Sequence, residues 1–156
     1  MKHIHQIESV QKRATKQVPE LKHLTYPERL KKLNLPTLSF RRVRGDMIEM
    51  FKITNGIYDE KVTNFIPFWT ETTQRSSNRT NSLKIYPCQS RSNARKNSFR
   101  VRITKIWNTL PNEIVCAPSL NLFKNRLDSY WDNQELKFDY KANSITIASG
   151  SVMPLN

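Results

Sequence analysis

The sequence predicts a mainly α-helical protein: a small, irregular bundle of four to five helices with a basic loop and a C-terminal tail. Apolar residues recur at three- and four-residue spacing in several segments, and residues typical of helix starts and stops border these segments. Between Thr70 and Asn97 the periodicity disappears and polar residues dominate. We expect one helical domain over residues 1–131, with N-terminal helices (3–69), a basic loop (70–97) and C-terminal helices (98–131), followed by a flexible, disordered tail (132–156).

The first predicted helix covers residues 3–18. Its apolar side chains form one stripe, which consists of Ile4, Ile7, Val10, Ala14 and Val18. Lys12, Arg13 and Lys16 fall on the opposite face, and Pro19 ends the helix.

The next two helices have clear start signals. Thr25-Tyr26-Pro27-Glu28 is a capping box with a proline in the first turn, which predicts a short helix that ends at Leu33. Thr37 is placed to cap a longer helix over residues 38–54, which Asn55-Gly56 ends. The apolar face of this longer helix consists of Phe40, Val43, Met47, Met50 and Phe51.

The basic loop is predicted to contain one short strand or hairpin at Ser82–Tyr86. Helical periodicity returns at Ser98, and Pro111 closes a helix whose apolar stripe is Phe99, Ile103, Ile106, Trp107 and Leu110. Ser119 is placed to cap a last helix, in which Phe123, Leu127, Tyr130 and Trp131 share a face.

The charge of the chain favours RNA or DNA as its partner. There are 26 Lys and Arg against 13 Asp and Glu, a net charge of +13. Nine of the basic residues and none of the acidic ones lie between Thr72 and Lys105. Neutralised phosphates release condensed counterions, so such an excess favours polyanions. The alternative is a charged surface that only keeps the chain in solution. No lipidation motif supports an anionic membrane as the partner.

Nine cations are the candidate nucleic-acid-binding residues: Lys12, Arg13, Lys16, Arg91, Arg95, Lys96, Arg100, Arg102 and Lys105. Those in the loop lie among hydroxyl and amide side chains, which are common phosphate contacts. Tyr86 is the only aromatic residue between Thr70 and Asn97, so contact with the sugar–phosphate backbone of the nucleic acid is favoured over base stacking. For the loop itself, a solvated linker is an equally good interpretation. Phosphate contact is favoured for Arg100, Arg102 and Lys105, because the helix predicted after Ser98 would hold them in fixed positions.

Residues for catalysis are missing, so no enzymatic activity, cofactor, metal site or small-molecule substrate is expected of this chain alone. Cys88 and Cys116 lack paired CxxC spacing, and His3-x-His5 has no partner cysteines. Three glycines form no phosphate-binding loop, and the carboxylates are scattered singly.

The expected location is intracellular, nuclear or cytoplasmic, without secretion or membrane insertion. Residues 1–14 lack the apolar core of a signal peptide, and no apolar run is long enough to span a bilayer. Two cysteines without a signal peptide indicate a reducing compartment.

A resemblance to a known family is carried by a series of short segments in one order. The first, Ile7-Glu8-Ser9-Val10-Gln11-Lys12-Arg13-Ala14-Thr15-Lys16, resembles a stretch downstream of the polymerase core in LINE-type, jockey-like non-LTR retrotransposon reverse transcriptases. The others are Leu24–Leu30, Leu35–Leu38, Arg41–Ile48, Phe51–Ile53 with Asn55-Gly56, Ser82–Lys84, Arg95–Phe99, Trp107–Pro111, Ala117–Asn121 and Phe123–Asp128.

The resemblance implies the region after the palm, in or beyond the thumb, of an RNA-directed DNA polymerase. The family's catalytic aspartates, which use Mg, belong to a motif that lies upstream of this region and is not in the sequence. The resemblance therefore implies a fragment or a remnant copy that grips an RNA–DNA template–primer duplex, with the upstream polymerase domain as a possible second partner. Two alternatives stay open: a protein-interaction module that docks on a missing polymerase domain, and a non-functional transposon remnant.

Overall fold

A computed structural model describes residues 2–59, 66, 83–87, 95, 98–142, 144–146 and 152–154. The protein is mainly helical, as predicted. The α-helices among the described residues are α1 (Lys2–Lys16), α2 (Tyr26–Lys32), α3 (Leu38–Thr54), α4 (Phe99–Trp107), α5 (Asn112–Val115) and α6 (Leu120–Tyr130). Short 3-10 helices lie at Pro19–Leu21 and Glu135–Lys137, and β1 (Ser144–Thr146) pairs antiparallel with β2 (Val152–Pro154). Within the described ranges, no helix is long and apolar enough to cross a membrane.

The chain divides into two compact units. Residues 1–44 and 131–156 form one, here called the terminal unit, and residues 45–130 form the other, the central unit. The division falls inside α3, between Arg44 and Gly45. It differs from the predicted organisation because residues after 131 belong with the N-terminal helices rather than following a single domain.

The predicted start signals of α2 and α3 and the predicted stop signal of α3 are confirmed. At the start of α2 the backbone N–H of Thr25 donates to the Glu28 carboxylate (2.7 Å), as a capping box requires. The Thr37 hydroxyl accepts the N–H of Phe40 at the start of α3. At the end of α3, Gly56 has a φ of 64°, and the N–H of Ile57 donates to the carbonyl of Lys52 (3.0 Å). This left-handed residue and its hydrogen bond form a Schellman motif.

The core of the terminal unit brings together the first helices and the residues that follow α6. Leu30 is fully buried, and the rings of Phe40 and Trp131 meet edge to face, 5.9 Å apart. Leu21 and Val43 are also buried. The N-terminal half of the predicted α3 stripe therefore packs as expected.

The core of the central unit is built on aromatic rings from three helices. Phe51 of α3 stacks on Phe123 of α6 with ring centroids 4.3 Å apart, and Trp107 of α4 lies 6.1 Å from Phe123. The Trp107 indole donates to the carbonyl of Leu83 (2.8 Å). Ile85 is buried, and its N–H and carbonyl both bond the Asn108 side chain. Residues 83–87 contain a single β-bridge residue, Ile85, and residues 67–82 and 88–94 lie outside the described residues, so the strand or hairpin predicted at Ser82–Tyr86 stays a prediction.

The prediction of a flexible tail from residue 132 is wrong for residues 132–142. Leu136 is 1% exposed and lies in the 3-10 helix Glu135–Lys137. The Thr37 hydroxyl donates to the Leu136 carbonyl (2.6 Å), and the Thr37 N–H donates to the Lys137 carbonyl (2.8 Å). Because one short 3-10 turn buries one leucine, the stretch has no repeating apolar pattern from which its packing could be predicted.

Candidate nucleic-acid interface

The packed face of α1 is polar. Glu8, Gln11 and Thr15 are 2%, 9% and 5% exposed, whereas Ile7 and Val10 of the predicted apolar stripe are 58% and 66% exposed. The three buried residues recur at helical spacing, so they form one side of the helix. The orientation of α1 is therefore set by polar contacts rather than by its apolar stripe.

Glu8 joins α1 to the next two helices. Its carboxylate accepts the hydroxyl of Tyr26 (2.7 Å) and the backbone N–H of Leu38 (3.1 Å) in the first turn of α3. A carboxylate at a helix N-terminus also interacts favourably with the helix dipole. Burial raises the pKa of the Tyr26 hydroxyl well above its usual range, and the hydrogen bond to Glu8 raises it further.

Gln11 contacts the chain around the start of α3. Its amide nitrogen donates to the carbonyl of Pro36 (3.1 Å), and its amide oxygen accepts from the guanidinium of Arg41 (2.7 Å). The side chain therefore uses both its donor and its acceptor in contacts 25 and 30 residues away in sequence.

Arg29 binds the C-terminal half of α1 from α2 and is only 4% exposed. Its guanidinium donates to the Thr15 hydroxyl (3.2 Å), the Leu24 carbonyl (2.7 Å) and the Lys12 carbonyl (3.3 Å). Arg29 is thus a structural cation, and the bonds to Thr15 and Lys12 hold the basic end of α1 against α2.

This polar packing leaves the α1 cations on the surface. Lys12, Arg13 and Lys16 are all exposed, and none is paired with a carboxylate among the residues that the structure describes. They form one candidate phosphate-binding group, here called the α1 cations. Other exposed cations among the described residues of the terminal unit are Lys22, Lys31, Lys32, Arg41, Arg42 and Lys141.

Sequence reasoning missed how basic this N-terminal region is. Residues 1–44 contain eleven Lys and Arg against three Glu, an excess of eight positive charges, and Glu8 is one of those three acids. The signal was in the sequence as a local charge count, but it is less visible than in the basic loop because apolar residues lie between the cations. The terminal unit is therefore a basic surface in its own right.

The central unit places the other predicted cations in different environments. Arg95 and Lys105 are exposed. Arg102 instead forms a two-pronged ion pair with Asp46, in which its Nε lies 2.6 Å from Oδ2 and its Nη2 lies 2.8 Å from Oδ1. Arg100 is half-buried, and its Nε has no acceptor among the described residues. The charge of Arg102 is thus neutralised inside the protein, which reduces its availability to phosphate.

The predicted site residues consequently fall into separate groups. The α1 cations belong to the terminal unit, and Arg95, Arg100, Arg102 and Lys105 belong to the central unit. Arg91 and Lys96 lie outside the described residues, as does most of the basic loop.

Potential metal ligands do not cluster in the described ranges. No group of three or more His, Cys, Asp or Glu side chains there is arranged to hold a metal ion. His5, one half of the His3-x-His5 pair, instead contacts the ring of Tyr140, with centroids 5.6 Å apart.

Comparison with known proteins gives no relative. No protein-family model matches the sequence, and neither a curated protein nor a solved structure is similar to it. The resemblance to LINE-type reverse transcriptases therefore stays a prediction that rests on the short segments. Several residues of those segments, among them Glu8, Arg29 and Trp107, make the buried contacts described above.

Proposed function

We propose that this chain is a nucleic-acid-binding region of a LINE-type RNA-directed DNA polymerase, and that it grips the phosphates of a template–primer duplex without a catalytic site of its own. The observation that carries the proposal is the exposure of Lys12, Arg13 and Lys16 on a helix whose only acidic residue, Glu8, is buried. Phosphate contacts supply most of the affinity in binding that does not depend on base sequence.

The mechanism follows from how α1 is held. Glu8, Gln11 and Thr15 fix one side of the helix to the terminal unit, so the α1 cations are presented by a rigid element rather than by a loop. Ordering these side chains on a phosphate backbone then costs only side-chain entropy. Arg95 and Lys105, with Arg91 and Lys96 from the sequence alone, are proposed as further contacts. Arg100 and Arg102 are expected to contribute less.

A second candidate function is a protein-interaction module that docks on a missing polymerase domain. One specific observation favours it: Ile7 and Val10 of α1 are more than half exposed although they belong to an apolar stripe. An unpartnered apolar stripe is typical of a surface that another protein covers. The apolar residues that favour this function are different side chains from the α1 cations.

The test is a salt titration of binding to a fluorescein-labelled RNA–DNA hybrid of twenty base pairs, followed by anisotropy. For the full chain, log K should fall steeply with log salt. In the Lys12→Ala/Arg13→Ala/Lys16→Ala variant, the slope should become shallower by about 0.9 for each phosphate that is no longer neutralised.

A matched control separates these cations from net charge. Lys52→Ala removes a cation that is already paired with Glu49 (2.7 Å), so it should change the slope by much less than each α1 cation does. Binding that depends on neither salt nor the α1 cations would contradict the proposal and favour the protein-interaction module or a non-functional remnant.

A further inference from the structure

We propose that the exposed apolar seam of α1, formed by Ile7, Val10 and Ala14, is the docking site for an amphipathic helix of a partner protein that carries carboxylates along the border of its apolar face. The inference does not depend on nucleic-acid binding. It rests on the spacing of the seam, on the contacts that keep it exposed and on the charge around it.

The seam has the spacing of a helix–helix interface. Ile7, Val10 and Ala14 are separated by three and then four residues, the alternation with which one helix packs against another. All three side chains are exposed. Ala14 is small, so a partner backbone can approach closely at that end. Helix α1 spans 15 residues, or roughly 22 Å, which offers about two heptads of contact.

The polar contacts of α1 keep the seam on the surface. Turning the helix to bury Ile7 and Val10 within the terminal unit would move Glu8 away from Tyr26 and Leu38, and would leave the buried Tyr26 hydroxyl without its acceptor. The exposure of the seam is thus a consequence of the buried network. Covering these side chains with a partner would be favourable in proportion to the apolar surface that is removed from water.

The charge around the seam selects the occupant. Although the sequence predicts Arg13 on the face opposite the apolar stripe, it follows Val10 by three residues, so it is the α1 cation that borders the seam, and the exposed side chains described on α1 include no carboxylate. A second copy of this chain would bring a further net charge of +13 to the same place. Nucleic acid supplies charge but no continuous apolar face. An acidic amphipathic helix can cover the apolar seam and pair a carboxylate with Arg13, as charged residues beside the apolar seam do in paired helices.

An anionic membrane is the remaining candidate surface whose charge is opposite to that of α1. Helices that lie on membranes usually carry Trp, Phe or Leu on the apolar face, and the α1 sequence contains none of the three. The observations therefore favour a protein partner, and membrane binding becomes an outcome of the test.

The probe is a designed helical peptide of eighteen residues with Leu at the seam positions and Glu at the border positions, titrated into the full chain by calorimetry. It should bind, and a peptide with Lys in place of every Glu should bind at least tenfold more weakly. Ile7→Gln/Val10→Gln should weaken binding of the Glu peptide about tenfold or more, because two apolar side chains no longer pack against the peptide. Ile57→Gln, at a residue 55% exposed in the central unit, is the matched control and should leave the affinity unchanged.

A charge reversal gives a second test that does not alter the seam. Arg13→Glu should weaken binding of the Glu peptide and strengthen binding of the Lys peptide, a reversal that misfolding cannot produce. The proposal is overturned if a scrambled peptide binds as well as the designed one, or if Ile7→Gln/Val10→Gln binds as tightly as the natural chain. It is also overturned if sedimentation shows a dimer that these substitutions dissolve, or if phosphatidylserine vesicles compete with the peptide for the seam.

Discussion

The hydroxyl of Tyr26 donates a 2.7 Å hydrogen bond to the carboxylate of Glu8, eighteen residues earlier in the chain. The same carboxylate accepts the N–H of Leu38 at the start of α3, so one buried side chain links three helices of the terminal unit. Tyr26 and Glu8 are 5% and 2% exposed. A buried carboxylate is stable only while its donors are in place, and this makes the pair a sensitive point in the fold.

Tyr26→Phe should lower the free energy of unfolding, and the size of the loss should depend on pH. Near pH 7 we expect a loss of about 1–3 kcal/mol, because Glu8 loses a donor in a buried site. The pKa of Tyr26 is raised in the folded state, first by burial and then by the bond to Glu8. Its contribution is therefore complete below the unfolded pKa of about 10 and declines as pH rises above that value.

Urea unfolding of both proteins at pH 7, 9 and 11, followed by circular dichroism, measures this effect. The difference between the natural chain and Tyr26→Phe should be constant from pH 7 to 9 and should shrink by about 1.4 kcal/mol per pH unit above roughly pH 10. Tyr58→Phe is the control at pH 7, because Tyr58 is 37% exposed and its hydroxyl bonds a surface carboxylate, Glu49. A pH-independent difference for Tyr26→Phe would contradict the assignment.

The faces of α3, α4 and α6 were predictable because their buried residues, with the exception of Thr104 in α4, are apolar. Met47, Ile103 and Phe123 lie where helical periodicity puts them, and burial of apolar surface is the dominant driving force. The same rule fails for α1, whose packed side chains are Glu8, Gln11 and Thr15. Their partners are 14 to 30 residues away, and periodicity within one helix contains no information about such pairings.

The candidate site, like the fold, was predictable only in part from the sequence. Exposure of Lys12, Arg13 and Lys16 follows from the high cost of burying an unpaired cation, a rule that needs only the sequence. Arg102 meets the same requirement differently, through a carboxylate 56 residues away that only the folded chain brings near. The charge of a residue could thus be predicted, but not whether that charge is neutralised inside the protein.

Arg102→Ala should destabilise the central unit more than it weakens nucleic-acid binding. The substitution leaves Asp46, whose side chain is 12% exposed, without its two-pronged partner, at a cost of about 1–3 kcal/mol. Lys105→Ala, on the same helix but exposed, should change stability by no more than about 0.5 kcal/mol. In a double-mutant cycle, Asp46→Ala/Arg102→Ala should lose less than the sum of the single changes. Additive losses would show that the pair contributes nothing specific.

Removal of residues 132–156 should destabilise the terminal unit, although a flexible tail would be dispensable. Leu136 is buried, and Thr37 bonds the carbonyls of both Leu136 and Lys137, so truncation exposes core surface and frees the buried Thr37 hydroxyl. Leu136→Ala tests the same packing without shortening the chain, and should cost about 2–5 kcal/mol by opening a cavity. The control is Lys141→Ala in the same stretch, an exposed side chain whose removal should be nearly neutral. If Leu136→Ala unfolds at the same urea concentration as Lys141→Ala, residues 132–142 do not pack on the terminal unit in solution.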